Sequence, residues 1–284
     1  RWWNNESLVQ AAFGHRIDDL YTLALASQFL QRDGLGYAVE AHRRRWPRSV
    51  GTLPWQFNEP YPNAWCTAAV THAGEPKPAY FAVAAAYRPV IVGATCSRQS
   101  WAGHPEVVVS LWFVADNPVE PATLTAGLFS LSGEELAGIS FKDVTRAQDV
   151  GELRAPTPPG AFILQVRLAA GDVRAERRYL LTGAEDLSEL LDGRAEIDVE
   201  WSDDQLVVRH VAGPAAPLVR VRDGRPWSDD AGGWLRVSDS GFVLLPGERR
   251  VLDVRWEGAG GDRLIAVDGL GLHPTERLIR CNRL

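Results

Sequence analysis

Methionine is missing from all 284 residues, and of the 30 basic residues only Lys77 and Lys142 are lysine. The first absence implies that the chain does not start at its own initiator. The second fits a GC-biased coding sequence better than any function. No window approaches the roughly 18 uncharged apolar residues of a membrane-spanning helix, so no transmembrane helix is expected. The opening Arg1-Trp2-Trp3-Asn4-Asn5 has no apolar core of the length a signal peptide needs. A net charge of −6 carries no electrostatic footprint for nucleic acid. Cysteine is scarce: Cys66, Cys96 and Cys281 are an odd count at wide spacing with no C-x-x-C pair. Neither a disulfide framework nor a zinc site follows, and three free thiols are expected. An odd thiol count also leans towards a cytoplasmic rather than a secreted setting. The six histidines stand singly, with none at i, i+4 from another ligand, so neither a metal nor a cofactor is expected.

What is present is globular. The chain is 45% apolar and 23% charged, enough for buried cores, which excludes a disordered tail or a collagen-like rod. The length allows one large domain or two to three ordinary ones. Tryptophan is abundant, with eleven in all and five within the first 65 residues.

The texture changes near residue 90. Before it, Asp18 and Asp19 suit a helix N-terminus, and Leu20, Leu23, Ser27, Leu30 and Gly34 recur at helical spacing through to Val39. His42-Arg43-Arg44-Arg45 closes that helix before Pro47. In so acidic a chain the basic run reads as cations at a helix C-terminus, not as an anion patch. Residues 50–57 form a short apolar run bounded by turn formers, expected to be a buried strand, with Pro54 making its end irregular. A second helix is expected over residues 76–88, between Pro76 and Pro89, with Tyr80, Phe81, Ala84 and Tyr87 on one face.

After residue 90 the chain reads as all-β. Residues 106–114 form a strand apolar on both faces. Phe162, Leu164, Val166 and Leu168 alternate with Ile163, Gln165 and Arg167. Similar alternation recurs at Ile197, Val199 and Trp201, at Val219 and Val221, and at Leu252, Val254 and Trp256. Such period-two runs between Gly, Pro and Asp turns mark antiparallel sandwiches. About 95 residues lie on each side of residues 187–194, close to the ~100 of one immunoglobulin-like sandwich. The expected fold is therefore mixed: an α/β segment over 1–90, then two immunoglobulin-like β-sandwiches over 91–187 and 194–284.

The densest gathering of chemically useful side chains is Trp55, Gln56, Asn58, Glu59, Tyr61, Asn63 and Trp65. A sugar site needs aromatic faces for the C–H patch of a pyranose, with amides and a carboxylate for its hydroxyls. Each residue also has a plainer reading. A tryptophan at the end of a buried strand is more often core than platform, and an Asn-Glu pair in a loop is commonly a turn.

This stretch carries a resemblance. Gly51-Thr52-Leu53-Pro54-Trp55-Gln56-Phe57-Asn58-Glu59-Pro60-Tyr61-Pro62, followed by Asn63-Ala64-Trp65-Cys66, resembles the last barrel strand of glycoside hydrolase family 2, particularly its β-mannosidase-like members. Ser27-Gln28-Phe29-Leu30-Gln31 and Tyr37-Ala38-Val39-Glu40-Ala41-His42 resemble the helix before that strand, and Gly74-Glu75-Pro76-Lys77-Pro78-Ala79-Tyr80-Phe81-Ala82 the closing barrel helix. Near the other end, Asp239-Ser240-Gly241-Phe242-Val243-Leu244-Leu245-Pro246-Gly247-Glu248 resembles the signature of the family's last sandwich domain. The resemblance implies that the chain is the C-terminal segment of a (β/α)₈-barrel glycosidase followed by two sandwiches. The implied chemistry of the parent is retaining, metal-independent hydrolysis of terminal β-linked sugars by two carboxyl groups.

By that alignment both catalytic glutamates lie upstream, so no catalytic residue is expected in this chain. Asn58-Glu59-Pro60 does reproduce an acid/base motif of related barrels. However, no later α/β pattern supplies a second carboxylate, and a motif needs its context. Glu6 reads as first-turn acid of a helix, not as a nucleophile. What the resemblance carries over is supporting. Trp55 falls on the tryptophan floor beneath the sugar, Asn58 and Glu59 on the pair that holds the barrel mouth through hydrogen bonds, and Tyr61 and Trp65 on the rim. Pro54, Glu59 and Tyr61 depart from the family's usual residues, which bears on substrate choice but not on register. The implied partners are a β-linked mannoside or related sugar, and the remainder of the barrel with its N-terminal domains. The rival reading is a non-catalytic carbohydrate-binding or scaffold protein built from the sandwiches.

Overall fold

The computed structural model describes residues 6–15, 17–62, 67–145, 149–202, 204–226, 233–258, 263–273 and 276–281. Among them, helices α1 (Glu6–Phe13), α2 (Leu20–Arg44) and α3 (Pro78–Ala86) precede the β-rich remainder. Asp19 caps α2, its side chain accepting from the Thr22 amide at 2.7 Å, the orphan-donor solution expected at a helix start. His42, Arg43 and Arg44 occupy the last turn, and each also has a partner. His42 Nδ1 lies 2.7 Å from Thr52 Oγ1. Arg43 donates to the Ala86 carbonyl at 2.9 Å and to Asp116 at 2.6 Å. Arg44 reaches Thr95 Oγ1 at 2.5 Å and stacks over Trp112.

Two pairs of antiparallel sheets follow. Strands β1 (Val90–Thr95), β2 (Glu106–Ala115), β3 (Ala122–Ser130), β4 (Glu135–Val144), β5 (Gly151–Pro156), β6 (Ala161–Ala170) and β7 (Val173–Thr182) form sheets ordered β1-β2-β5 and β4-β3-β6-β7. One-turn helix α4 (Glu189–Asp192) leads into β8 (Glu196–Ser202), β9 (Gln205–Ala212), β10 (Ala216–Asp223), β11 (Trp234–Val237), β12 (Phe242–Leu244), β13 (Arg249–Glu257), β14 (Arg263–Leu270) and β15 (Glu276–Cys281). These order as β11-β13-β9-β8 and β12-β10-β14-β15.

The alternation of the sequence sorts residues into cores. Val109, Leu111 and Phe113 of β2 meet Leu124 and Leu128 of β3 and Phe162, Leu164 and Val166 of β6 in the first core. Ile197, Leu206, Val208, Leu252 and Val254 meet Val219, Val221, Ile265 and Val267 in the second, joined by Phe81 from α3. A third core lies between the two. Val9, Phe13, Leu25 and Phe29 of the helices pack on Ile163 and Leu180 from one sandwich and on Leu218, Val243 and Leu270 from the other. The first six residues of β6, 161–166, are thus buried on both faces, and Phe162 and Ile163 go to different cores although both are apolar, while Arg167 further on is exposed.

Ion pairs reinforce these junctions. Arg178 of β7 grips Glu248 with two bonds of 2.6 and 2.8 Å and donates to the Val243 carbonyl at 2.9 Å. Glu248 also accepts from the Leu245 amide at 2.9 Å, so the Leu-Leu-Pro-Gly-Glu turn is a docking element between sandwiches. Gly247 there sits at φ +71°, a left-handed conformation that glycine adopts without steric cost. Asp268, wholly buried, accepts from Arg220 at 2.7 and 2.8 Å and from Arg222 at 2.8 Å, while Arg220 reaches Gln28 of α2 at 3.0 Å.

Two expectations need correction. Residues 50–57 are not a buried strand: they have no regular strand structure, pairing only through Gln56 and Phe57 with Ala69 and Val70, and Leu53 is 95% exposed. An apolar run shows that a segment seeks burial, but a strand also needs neighbours, and no described strand flanks this one. The second helix is shorter than expected, because Pro76 bridges to Val70 and Lys77 is the N-cap. Its Tyr80 and Tyr87 face outward while Phe81 turns inward. Cys96 and Cys281 are free thiols, and Cys66 lies outside the described residues.

Truncating Phe29, fully buried in the third core, is expected to cost about 3–5 kcal/mol, as for other large aromatic side chains. Urea unfolding of Phe29→Ala against the parent chain measures this. Acid should act through the clamps. Burial pushes Asp268 and Glu248 up, but Arg220 and Arg222 in one case and Arg178 in the other outweigh it and hold both carboxyls below the usual range. A depressed folded pKa gives stability that is present above the unfolded value of about 4 and lost as pH falls through the folded one. Arg178→Gln should therefore flatten the fall in melting temperature below pH 4.

Candidate functional site

The candidate residues sit on the segment between α2 and α3, and backbone pairing sets its shape. Gln56 and Phe57 carbonyls accept from the Ala69 and Val70 amides at 3.0 and 2.9 Å, and the Glu59 amide donates to the Val70 carbonyl at 3.1 Å. Asn58 and Val70 thus form a parallel bridge, and Val70 pairs antiparallel with Pro76 on its other side. A tight turn closes the return: Thr71 donates to Glu75 at 2.8 Å and accepts from Gly74 at 3.0 Å. Gly74 has φ +82°, which the turn requires. From α2, Gln31 donates to the Thr67 carbonyl at 2.6 Å. At the other end, the Tyr87 hydroxyl donates to the Thr52 carbonyl at 2.6 Å. The Trp55–Gln56 and Trp46–Pro47 peptides are cis.

Side chains divide sharply on this frame. Trp55 is 80% exposed, and Leu53, Phe57 and Tyr61 are exposed around it. Asn58 also faces solvent. Glu59 turns the other way and is 6% exposed. One carboxylate oxygen lies 2.5 Å from Lys77 Nζ, and the other accepts from the His72 amide at 3.1 Å. Both oxygens are occupied, so this carboxylate braces the segment against the start of α3. Trp55, Asn58 and Tyr61 are thus each exposed to solvent. Trp65 and Asn63 lie outside the described residues.

Lys77 and the His72 amide were missed by the sequence reading. One signal was available: Lys77 is one of two lysines among thirty basic residues, in the Gly-Glu-Pro-Lys-Pro stretch before α3. Behind the segment, α2 carries a second titratable cluster. Glu40 pairs with Arg177 at 2.6 Å and accepts from the Tyr179 hydroxyl at 3.2 Å. Tyr179 in turn accepts from the Ala94 amide at 3.0 Å. Burial pushes Glu40 up against the pull of Arg177, raises Tyr179 well above its ordinary value, and lifts the Cys96 thiol to about 12. These groups tie α2 to β1 and β7. Among the described residues, no three His, Cys, Asp or Glu side chains gather as a metal centre, and no helix is long and apolar enough to cross a membrane.

No family model matches the chain. Its likeness is nonetheless consistent in class, to β-glycosidases of glycoside hydrolase family 2 and, within them, to the C-terminal portion of β-mannosidase-like members. More particularly, 87 residues are 34% identical to β-mannosidase B of Aspergillus niger and 32% identical to that of Aspergillus oryzae. In each case this is 29% of this chain and 10% of the relative, so the match spans a tenth of the relatives' length. In fold, 97% of the chain superposes on 36% of the exo-chitosanase CsxA of Amycolatopsis orientalis, with TM-score 0.70 and 16% identity. The mostly β architecture with few helices therefore matches the C-terminal sandwich region of such an enzyme.

Removing Lys77 would leave a buried carboxylate without its cation, a change that typically costs about 3–5 kcal/mol. Lys77→Ala is expected to lose stability on that scale and to speed hydrogen exchange at the Glu59 and Val70 amides. Glu59→Gln, which keeps an acceptor for the His72 amide, should be milder on both measures.

Proposed function

We propose that this chain is the C-terminal part of a retaining exo-β-glycosidase acting on terminal β-linked sugars, most like a β-mannosidase. It contributes the last α/β segment of a (β/α)₈ barrel over residues 1–90 and two immunoglobulin-like sandwiches over 91–187 and 194–284. On this reading the chain lacks the catalytic glutamate pair and is inactive alone. Trp55 is the apolar floor of the sugar site, Asn58 a hydrogen-bonding neighbour, and Tyr61 and Trp65 its rim. Glu59 acts as a positioning residue through Lys77.

The observation that carries the reading is the contrast within residues 50–61. Their backbone is pinned at both ends, yet their aromatic side chains stand in water. Exposed apolar surface of this extent marks a binding or association face. The remainder of a barrel would cover Val50, Leu53 and Phe57, while a sugar would take the face of Trp55. A barrel needs about 250 residues, so one extended segment with its helices cannot close it.

The chain alone should show no turnover of an aryl β-D-mannoside. Joined to the remaining barrel in one polypeptide, Trp55→Ala should lower kcat/KM by roughly a hundredfold, about 2.7 kcal/mol of transition-state binding. Hydrolysis by the chain alone that disappears in Glu59→Gln would overturn the assignment.

A further inference from the structure

A cavity of about 630 Å³ lies where α3, the β3-β6-β7 face and the 238–243 segment of the last sandwich meet, away from the aromatic segment. Its walls hold seven arginines against three acids, Glu40, Glu176 and Asp239, within a chain whose net charge is −6. Most of the acidic charge is already committed. Arg177 takes Glu40 at 2.6 Å, and Glu176 is shared by Arg167 at 2.8 Å, Arg178 at 3.0 Å and Arg250 at 3.4 Å. Arg32 pairs with Asp33 at 2.5 Å and Arg178 with Glu248 at 2.6 Å, both carboxylates lying behind the wall. Counting those two, the arginines still outnumber the acids by two.

Two arginines, Arg88 and Arg174, have no carboxylate partner among the described residues. Arg174 donates to the carbonyls of Gly171 and Val173, at 2.5 and 2.8 Å. Both side chains lie on exposed residues, whereas Arg178, deeper in the wall, is 5% exposed or less. The Arg178 Nε is buried with no hydrogen-bond partner. The Arg250 Nε is enclosed in the same way, so these two residues bring positive charge to the cavity from behind its surface. Asp239 is part-buried in the same wall without an arginine at ion-pair distance, and desolvation raises its pKa against the pull of Arg250 and Arg32. The hydroxyl-bearing Thr123 and Thr125 line the same space. Its volume is that of a small-molecule site, and forked guanidinium donors match the geometry of phosphate and sulfate oxygens.

We propose that this inter-sandwich cavity binds a multiply charged oxyanion, a phosphate or sulfate group either free or carried on a molecule of sugar size. Arg88 and Arg174 form its entrance and supply the donors, and Arg178 with Arg250 add positive charge behind them. Because its walls come from both sandwiches and from α3, occupancy would also hold those parts together.

The test is titration of the 284-residue chain with inorganic phosphate and, separately, a hexose 6-phosphate. Ionic strength is held constant with chloride, and calorimetry and melting temperature are read together. A saturable heat and a rise in melting temperature with phosphate, absent with chloride, are expected. In the double variant Arg88→Ala/Arg174→Ala, whose residues are exposed and should not disturb folding, affinity should fall roughly tenfold or more. A control pair of exposed arginines outside the cavity, Arg154→Ala/Arg255→Ala, should bind as the parent does. A hexose phosphate binding tenfold tighter would identify a sugar-borne group, and equal affinities a free oxyanion. Absence of saturable binding, or equal weakening in the control pair, would overturn the proposal.

Discussion

The architecture depends on one apolar contact, the wedge of Phe13, Leu25 and Phe29 between the outer faces of two sandwiches. Each sandwich has its own core and could satisfy its inner faces alone. Their outer faces are another matter: Ile163 and Leu180 on one side, and Leu218, Val243 and Leu270 on the other, would be costly in water at about 1.5–3 kcal/mol per large side chain. The helices cover both sets at once. α1 contributes Val9 and Phe13, and α2 contributes Leu25, Ala26 and Phe29, to this shared core. Removing the wedge would therefore expose both sandwiches, not one.

Polar clamps then set the relative register that apolar contact leaves loose. Arg178 reaches Glu248 and the Val243 carbonyl, and Arg220 bridges Asp268 to Gln28 of α2. Buried ion pairs contribute little net stability against well-packed apolar substitutes, since both charges lose water. Their value lies in direction: a bidentate guanidinium–carboxylate pair tolerates little sliding, whereas leucine against isoleucine tolerates more. The two clamps join different pairs of elements, so together they fix the sandwiches to each other and to α2.

How legible this was in the sequence depended on whether a residue's environment is local. Leu252 and Val254 alternate with Asp253 and Arg255, and β13 buries the first pair in the second core. Asp18 and Asp19 announced the start of α2, and the cap is Asp19. Strand β6 was harder, because both faces are buried over residues 161–166 and periodicity carries no sign of which core each residue joins. Residues 50–57 were misread as buried for a related reason: an apolar run shows what a segment prefers, not whether a neighbour exists. Glu59 was visible as part of a motif, but its Lys77 partner lies eighteen residues on, across a turn that no local pattern announces. The arginine cavity was invisible, since its walls are drawn from positions 32 to 250.

The cost of holding residues 50–61 in place bears on the proposed sugar floor. A flexible loop that carries a tryptophan must lose about 1–2 kcal/mol of backbone freedom per residue when it orders around a ligand. Here the ladder to Ala69 and Val70, the Tyr87 bond to Thr52 and the buried Glu59–Lys77 pair hold the backbone before any ligand arrives. A platform ordered in advance leaves more of the aromatic contact energy for affinity, which is the general advantage of preorganisation. The same bracing makes the segment unable to tuck its apolar side chains away: turning Trp55 or Phe57 inward would break the pairing that holds the strap. The bracing therefore favours an external apolar surface over any rearrangement of the segment itself as the route by which Leu53, Trp55 and Phe57 leave water.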